Sequence, residues 1–307
     1  MIQGTVGVVG CGQMGTGIIE VAARAGLKVV AVKLTGNAQD AAARVAKSLD
    51  RGVQKGKMTA PERDEAMARI TFTNELAALS ECELVIESAV EDANQKRRLF
   101  TEIEAVLAPS AVLTTNTSSL RLSAFDDVLA RPGQFLGLHF FNPVQLMSLV
   151  EVGPTKATVP AATEIARAFV AKIGKTPVQV ADSPGYVVNR LLVPYILHAI
   201  ETLEGGIASA EEIDTAMKLG CGHPMGPLAI ADLIGLDVVF AMAKTLHTEL
   251  NDTRYRAPSL LRRLMLAGHL GRKAGKGIYD YSGETPVVNA SIGQASIPPS
   301  FARTASR

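Results

Sequence analysis

Two groups of residues in this chain could do chemistry. The first is Gly10-Cys11-Gly12-Gln13-Met14-Gly15, three glycines at GxGxxG spacing. The run follows a β-branched segment, Thr5–Val9, and opens a stretch with helical spacing at Ile18, Ile19, Val21 and Ala22. In that setting the first glycine permits a tight turn, the second lets a pyrophosphate approach the backbone, and the third packs helix on strand with the helix N-terminus facing the anion. Gly10, Gly12, Gln13, Met14 and Gly15 are therefore expected to hold a dinucleotide. The second group puts polar side chains into apolar surroundings: residues 114–119 (TTNTSS), residues 139–143 (HFFNP), Glu151 within residues 149–152, and Asn189 within residues 187–190. Buried polar groups need partners. Singly, His139 reads as a satisfied core histidine, Glu151 as a strand-edge charge, Ser118 as a helix cap and Asn189 as a helix-face amide. Together they compose a site.

A dinucleotide fold usually places an acid about 20 residues beyond the glycines, at the end of the second strand, to hold the ribose 2′-hydroxyl. That position is Lys33. Lysine cannot accept from hydroxyls but could hold a 2′-phosphate together with Thr35, Asn37 or Arg44, whereas a solvent-facing Lys33 is compatible with the unphosphorylated form. NAD(H) and NADP(H) both stay open. The later glycine-rich run, residues 271–277, has Leu270 where a phosphate loop needs its first glycine and Gly277 where it needs Ser or Thr, so it is no triphosphate site.

To position these residues the chain alternates short β-branched runs with Ala-rich segments up to about residue 182, the pattern of an α/β fold with a Rossmann-type, mostly parallel sheet. Strands are expected at Thr5–Val9, 28–32, 84–87, Val112–Thr115, 135–138, 149–152 and 178–180. Residues 40–79 exceed a plain crossover. Helical spacing at Ala43, Ala46, Lys47 and Asp50, and a Thr59-Ala60-Pro61-Glu62 cap, predict a helical hairpin projecting from the domain, with Lys47, Arg51, Lys55 and Lys57 as its basic side. Asp182-Ser183-Pro184-Gly185 predicts a helix start and a domain boundary, after which strand signals fade. The expected organisation is a dinucleotide-binding domain over 1–182, an all-α substrate and dimerisation domain over 183–282, and a disordered Ser-, Pro-, Gly- and Ala-rich tail over 283–307. The apolar surface of the helical part exceeds what one small domain covers, which predicts a homodimer.

Composition excludes several classes of function. Of 307 residues, 47% are hydrophobic, enough for a sizeable core, and 31 basic against 30 acidic residues leave a formal charge of +1. No global field draws this chain to nucleic acid or to an anionic membrane. Cys11, Cys82 and Cys221 lie far apart, without the spacing of a disulfide framework or a zinc site, so no metal is expected and reduced thiols in a cytoplasm are. The N-terminus has no secretory pattern, and the most apolar later stretch, residues 191–200, contains Pro194 and His198 and is half the length needed to cross a bilayer.

The motifs also carry a resemblance. GxGxMGxGI at residues 10–18, the NTSS run, GLHFFNPV at 137–144, the LVEV segment, DSPGYVVNRLLVPY at 182–195, GHPMGP, and GRKAGKGIYDY at 271–281 resemble the short-chain L-3-hydroxyacyl-CoA dehydrogenases, including the 3-hydroxybutyryl-CoA dehydrogenases, over residues 4–282. The resemblance implies a dinucleotide-binding domain with a helical hairpin, a dimer-forming helical domain, and NAD(P)-dependent interconversion of short-chain (S)-3-hydroxyacyl-CoA and 3-oxoacyl-CoA. It makes His139 the general acid/base, Glu151 the carboxylate that orients it, and Ser118 and Asn189 hydrogen-bonding groups around the substrate oxygen. An imidazole with a pKa near neutrality takes the 3-hydroxyl proton in oxidation and returns it in reduction. The resemblance also puts Glu91, Lys96, Ser118, Asn142 and Lys273 on the nicotinamide nucleotide, and Ser48 and Lys55, with Ser118, on the coenzyme A substrate. Lys33 departs from the family, which usually has an acid there. Relatives that use acyl-carrier-protein thioesters or free hydroxy acids supply alternative substrates; a non-catalytic nucleotide-binding scaffold is signalled by loss of His139 or Glu151, and both are present.

Overall fold

β-branched and small apolar residues build the strands, and Ala- and Leu-rich amphipathic segments cover them. The computed structural model describes residues 4–292 and divides between Tyr186 and Val187 into two compact units. In the first, β1 (Thr5–Val9), β2 (Val29–Val32), β3 (Ile70–Thr73), β4 (Cys82–Glu87), β5 (Val112–Thr115), β6 (Phe135–Phe140), β7 (Leu149–Pro154) and β8 (Thr176–Gln179) form one sheet in the order β3-β2-β1-β4-β5-β6-β7-β8. All pairings are parallel except β6 with β7. The strand order reverses between β1 and β4, which makes the carboxyl ends of these neighbours the place where an open α/β sheet takes a ligand.

The helices of this unit are α1 (Gln13–Arg24), α2 (Ala38–Gln54), α3 (Ala60–Ala68), α4 (Ala93–Val106) and α5 (Pro160–Lys172). The expected hairpin is α2 and α3, and Thr59 and Glu62 close the expected capping box. Three details differ. The insertion ends in a strand, because Ile70-Thr71-Phe72-Thr73 lies parallel to β2 at the sheet edge. The hairpin does not project freely: Ala41, Val45, Leu49 and Ala66 bury their side chains in one cluster with Ile18, Ile19 and Ala22 of α1, and Ala43 is exposed. The 182–185 run does not start a helix, since the Asp182 carboxylate accepts from Leu122 N (2.8 Å) and Ser123 N (2.9 Å) and caps a distant 3-10 turn instead.

In the second unit α6 (Val188–Glu204), α7 (Ala210–Cys221), α8 (Pro227–Ile234), α9 (Leu236–Leu250) and α10 (Ser259–Leu266) pack around Val193, Ile196, Ile200, Leu228, Val239 and Leu261. The unit is not purely helical. β9 (Tyr279–Asp280) and β10 (Val287–Val288) pair antiparallel, and the buried Asn289 donates to Gly277 O at 2.7 Å. Part of the expected tail therefore joins the fold, with Val287 and Val288 in the ladder and Asn289 buried, and residues 293–307 lie outside the described residues. Among the described residues no helix is long and apolar enough to cross a membrane.

Candidate active site

Four loops meet at the carboxyl ends of β1, β4, β5 and β6. The first is the glycine turn. Gly10 has φ 98°, and a Cβ there would lie 2.5 Å from Ser88 O; a Cβ on Gly15 would lie 1.8 Å from Gly10 O. Gly12, the N-cap of α1, meets nothing within 4 Å and offers no side-chain cap, so the backbone amides at the start of α1 face open space. That cradle fits a dinucleotide pyrophosphate.

Lys33 follows β2, with its side chain 15% exposed; its Nζ donates to Thr35 O at 2.5 Å and lies 3.8 Å from the Asp40 carboxylate. Arg44 on α2 donates to Cys11 O at 3.4 Å. Burial pushes the Cys11 thiol up to about 11, and the nearby Lys33 and Arg44 cations pull it back part of the way. Two cations thus stand beside the glycine turn at the end of β2.

The loop after β4 carries Glu91, and the loop after β5 carries Asn116 to Ser119. Glu91 Oε1 accepts from Thr117 Oγ1 (2.5 Å), Ser118 N (3.0 Å), Ser119 N (3.3 Å) and Ser119 Oγ (3.0 Å), which fixes the half-buried Ser118. Lys96, expected on the nucleotide, has internal partners. Its ammonium is 1% exposed, 2.7 Å from both Glu87 oxygens and 3.5 Å from Glu91 Oε2. Glu87 Oε2 also accepts from Thr115 Oγ1 at 2.5 Å. A buried ion pair with its remaining lone pairs satisfied holds the β4 and β5 ends in one geometry. Asn116 extends the bracing, accepting from Phe140 N (2.8 Å) and donating to Ser88 Oγ (3.2 Å).

On β6 and β7, His139 and Glu151 are directly opposed across the antiparallel ladder, and Nδ1 of the imidazole is 2.7 Å from Glu151 Oε2. Both are buried, at 5% and 1% exposure. The bond assigns the proton on Nδ1 and leaves Nε2 as the basic nitrogen of the neutral ring. Beyond β6, Asn142 accepts from Gln13 Nε2 at 3.2 Å, which joins this loop to the glycine turn. Lys175 anchors the loop by donating to Val144 O (2.6 Å) and Met147 O (2.5 Å); burial holds its pKa below the usual lysine range.

The remaining predicted residues lie elsewhere. Ser48 on α2 donates to the buried Glu20 at 2.5 Å and accepts from Gln145 at 3.2 Å, while Lys55, the C-cap of α2, is exposed beside Lys47, Arg51 and Lys57. Asn189 and Lys273 belong to the second unit. Asn189 is buried in α6, and Lys273 is paired with Asp237 at 2.5 Å. Sequence reasoning passed over Glu87, Glu20 and Tyr186. For Glu87 a signal existed, since it is a charge closing the apolar run Leu84-Val85-Ile86 with Lys96 one helix turn into the next element.

Comparison with known proteins agrees with this fold. Residues 5–183 match the NAD binding domain of 3-hydroxyacyl-CoA dehydrogenase, and residues 185–281 match its C-terminal domain. The chain belongs to the 3-hydroxyacyl-CoA dehydrogenase family. It is 44% identical to a 3-hydroxybutyryl-CoA dehydrogenase of Bradyrhizobium diazoefficiens over 283 residues, covering 92% of this chain and 97% of the relative. Among solved structures, M. tuberculosis FadB2 superposes with a TM-score of 0.88 at 44% identity, covering 92% of this chain and 99% of that one. The (S)-3-hydroxybutyryl-CoA dehydrogenase PaaH1 from Ralstonia eutropha superposes with a TM-score of 0.86 at 42% identity, covering 91% and 99%. A family with a nicotinamide-cofactor domain and an oxidoreductase name places this chain among the oxidoreductases.

Proposed function

We propose that this protein interconverts short-chain (S)-3-hydroxyacyl-CoA and 3-oxoacyl-CoA, the 3-hydroxybutyryl and acetoacetyl pair, in the cytoplasm. The observation that carries the reading is the buried His139–Glu151 pair beside a dinucleotide cradle. When bound, the nicotinamide supplies the hydride acceptor in oxidation and the hydride donor in reduction. His139 Nε2 takes the proton of the 3-hydroxyl and returns it in the reverse direction, and Glu151 holds the ring through Nδ1 and stabilises the imidazolium. Ser118 and Asn189 donate to the substrate oxygen, neutral groups that help hold developing alkoxide charge without titrating. Glu91, Asn142 and Lys273 contact the nucleotide, with Lys96 acting through the carboxylates it pairs. Lys55, in the exposed basic face of α2, meets the anionic coenzyme A phosphates, with Ser48 beside it.

Lys33 and Arg44 support NADP(H) as the preferred cofactor, because two cations at the ribose end suit a 2′-phosphate and Lys33 stands at the sequence position where the acid usually does. Exposed Leu191, Ile207, Leu219 and Leu266 support a homodimer formed through the second unit, which light scattering would test. The deciding experiment is initial rates with acetoacetyl-CoA and NADH or NADPH. Faster turnover with NADPH, reversed by Lys33→Asp, is expected. No turnover with either nucleotide overturns the CoA-thioester reading and directs the test to acyl carrier protein and free acids.

A further inference from the structure

Tyr186 sits where its backbone and its hydroxyl both resist. Its φ is 45°, in a region bulky side chains rarely adopt, and it follows Gly185 at φ 76°. Its side chain is buried, and the hydroxyl has no hydrogen-bond partner among the described residues. Both features cost free energy, so packing elsewhere must hold the ring in place.

The packing is specific. Gly137 on β6 is directly opposite Gly153 on β7, and this pair of glycines leaves a recess in the sheet face that the Tyr186 ring fills. A Cβ on Gly137 would lie 2.3 Å from the Tyr186 hydroxyl oxygen, and one on Gly153 would lie 2.8 Å from its ring. Strand side chains alternate between faces, so the next cross-strand pair on this face, two residues along, is His139 with Glu151. The Tyr186 ring centroid is 5.5 Å from the imidazole at an interplanar angle of 31°, and Phe141, two residues further in the other direction, is 4.5 Å from it at 59°. Burial and the carboxylates of Asp182, Glu151 and Glu91 push the phenol well above its ordinary range, so it stays neutral.

We propose that Tyr186 is a positioning residue: its ring, seated in the Gly137–Gly153 recess, holds the His139 imidazole at the angle at which Nδ1 meets Glu151. The proposal rests on the reading of His139 as the proton-transfer group. The working part of Tyr186 is the ring, and its hydroxyl makes no bond that positioning needs.

The test uses the full chain with Tyr186→Leu and Tyr186→Phe. Its readouts are kcat, KM, dinucleotide affinity and the low-field proton resonance of the His139 Nδ1–H···Glu151 bond. Tyr186→Leu is expected to lower kcat about 10- to 100-fold, leave KM and dinucleotide affinity unchanged, and weaken or abolish the resonance. Tyr186→Phe restores both kcat and resonance. A Leu variant that keeps resonance and kcat overturns the proposal, and so does a Phe variant that loses as much as Leu. If Tyr186→Leu fails to bind dinucleotide, the Phe variant alone decides, since the ring account requires it to match the parent. An active His139→Gln sinks only the proton-transfer reading; an unaltered resonance in Tyr186→Leu sinks only the positioning role.

Discussion

Glu87 and Glu151 of the first unit and Asp214 and Asp232 of the second are buried carboxylates satisfied in opposite ways. In the first unit, Glu87 meets the ammonium of Lys96 and Glu151 meets the imidazole of His139, so each of these two acids faces a group that carries or can carry a positive charge. In the second, Asp214 accepts from Leu228 N (2.8 Å), Ala229 N (3.0 Å) and Tyr279 Oη (2.8 Å), and Asp232 accepts from Ile278 N (2.9 Å), Tyr279 N (2.8 Å) and Tyr281 Oη (3.0 Å). Burial outweighs those bonds and raises the Asp232 pKa. Glycines close against these two acids: a Cβ on Gly226 or Gly277 would lie 2.3 or 2.1 Å from them. A carboxylate sealed by backbone N–H groups ties loops together, whereas one facing a titratable partner at a sheet end can assist proton transfer. Burial alone does not separate the two roles; the partner does.

Four experiments break or sharpen this contrast. The largest effect is expected at the titratable pair, where His139→Gln should cut turnover about 10²- to 10⁴-fold while dinucleotide affinity is retained, checked by steady-state kinetics and fluorescence titration. Next comes the ion pair: Lys96→Met leaves Glu87 buried without a counter-charge and should cost about 3–5 kcal/mol of stability, and adding Glu87→Leu should return much of it, read from denaturation midpoints. If the double variant is no more stable than the single, uncompensated charge is not the cause. At the sealed acids, Asp232→Ala leaves the Ile278 and Tyr279 N–H groups unpaired, at about 1–3 kcal/mol each, and should lower the urea midpoint.

The smallest effect concerns thiols. Burial pushes Cys11 up to about 11 and Cys82 up to about 12 from an ordinary value of 9.0. Both raised values favour the neutral thiol in the folded chain. The stability they contribute is whole below pH 9 and declines as pH rises through 11 and 12. A thiol reagent at pH 8 should therefore label the exposed Cys221 and spare Cys11 and Cys82 until the chain unfolds, as peptide mapping would show.

What the sequence determined by itself was local. The glycine turn was legible because turn, helix start and close packing are specified within six residues, and the Thr59 capping box because such a cap is a four-residue device. His139, Glu151 and their partnership were legible only through the resemblance. Their pairing, however, belongs to the register of an antiparallel ladder, which brings together residues twelve apart in the chain. The misreadings share one cause. Asp182 looks like a helix cap to its neighbours and caps Leu122, sixty residues back, because a carboxylate takes whichever free N–H the fold presents. Ile70–Thr73 looked like part of a helical insertion until β2 offered it an edge to pair with. The burial of Lys96, which the resemblance puts on the nucleotide, likewise shows only in the fold, where Glu87 lies beside it. Tertiary structure decided these cases, since the free energy of a buried charge, an orphan hydroxyl or a sheet edge depends on which distant group arrives beside it.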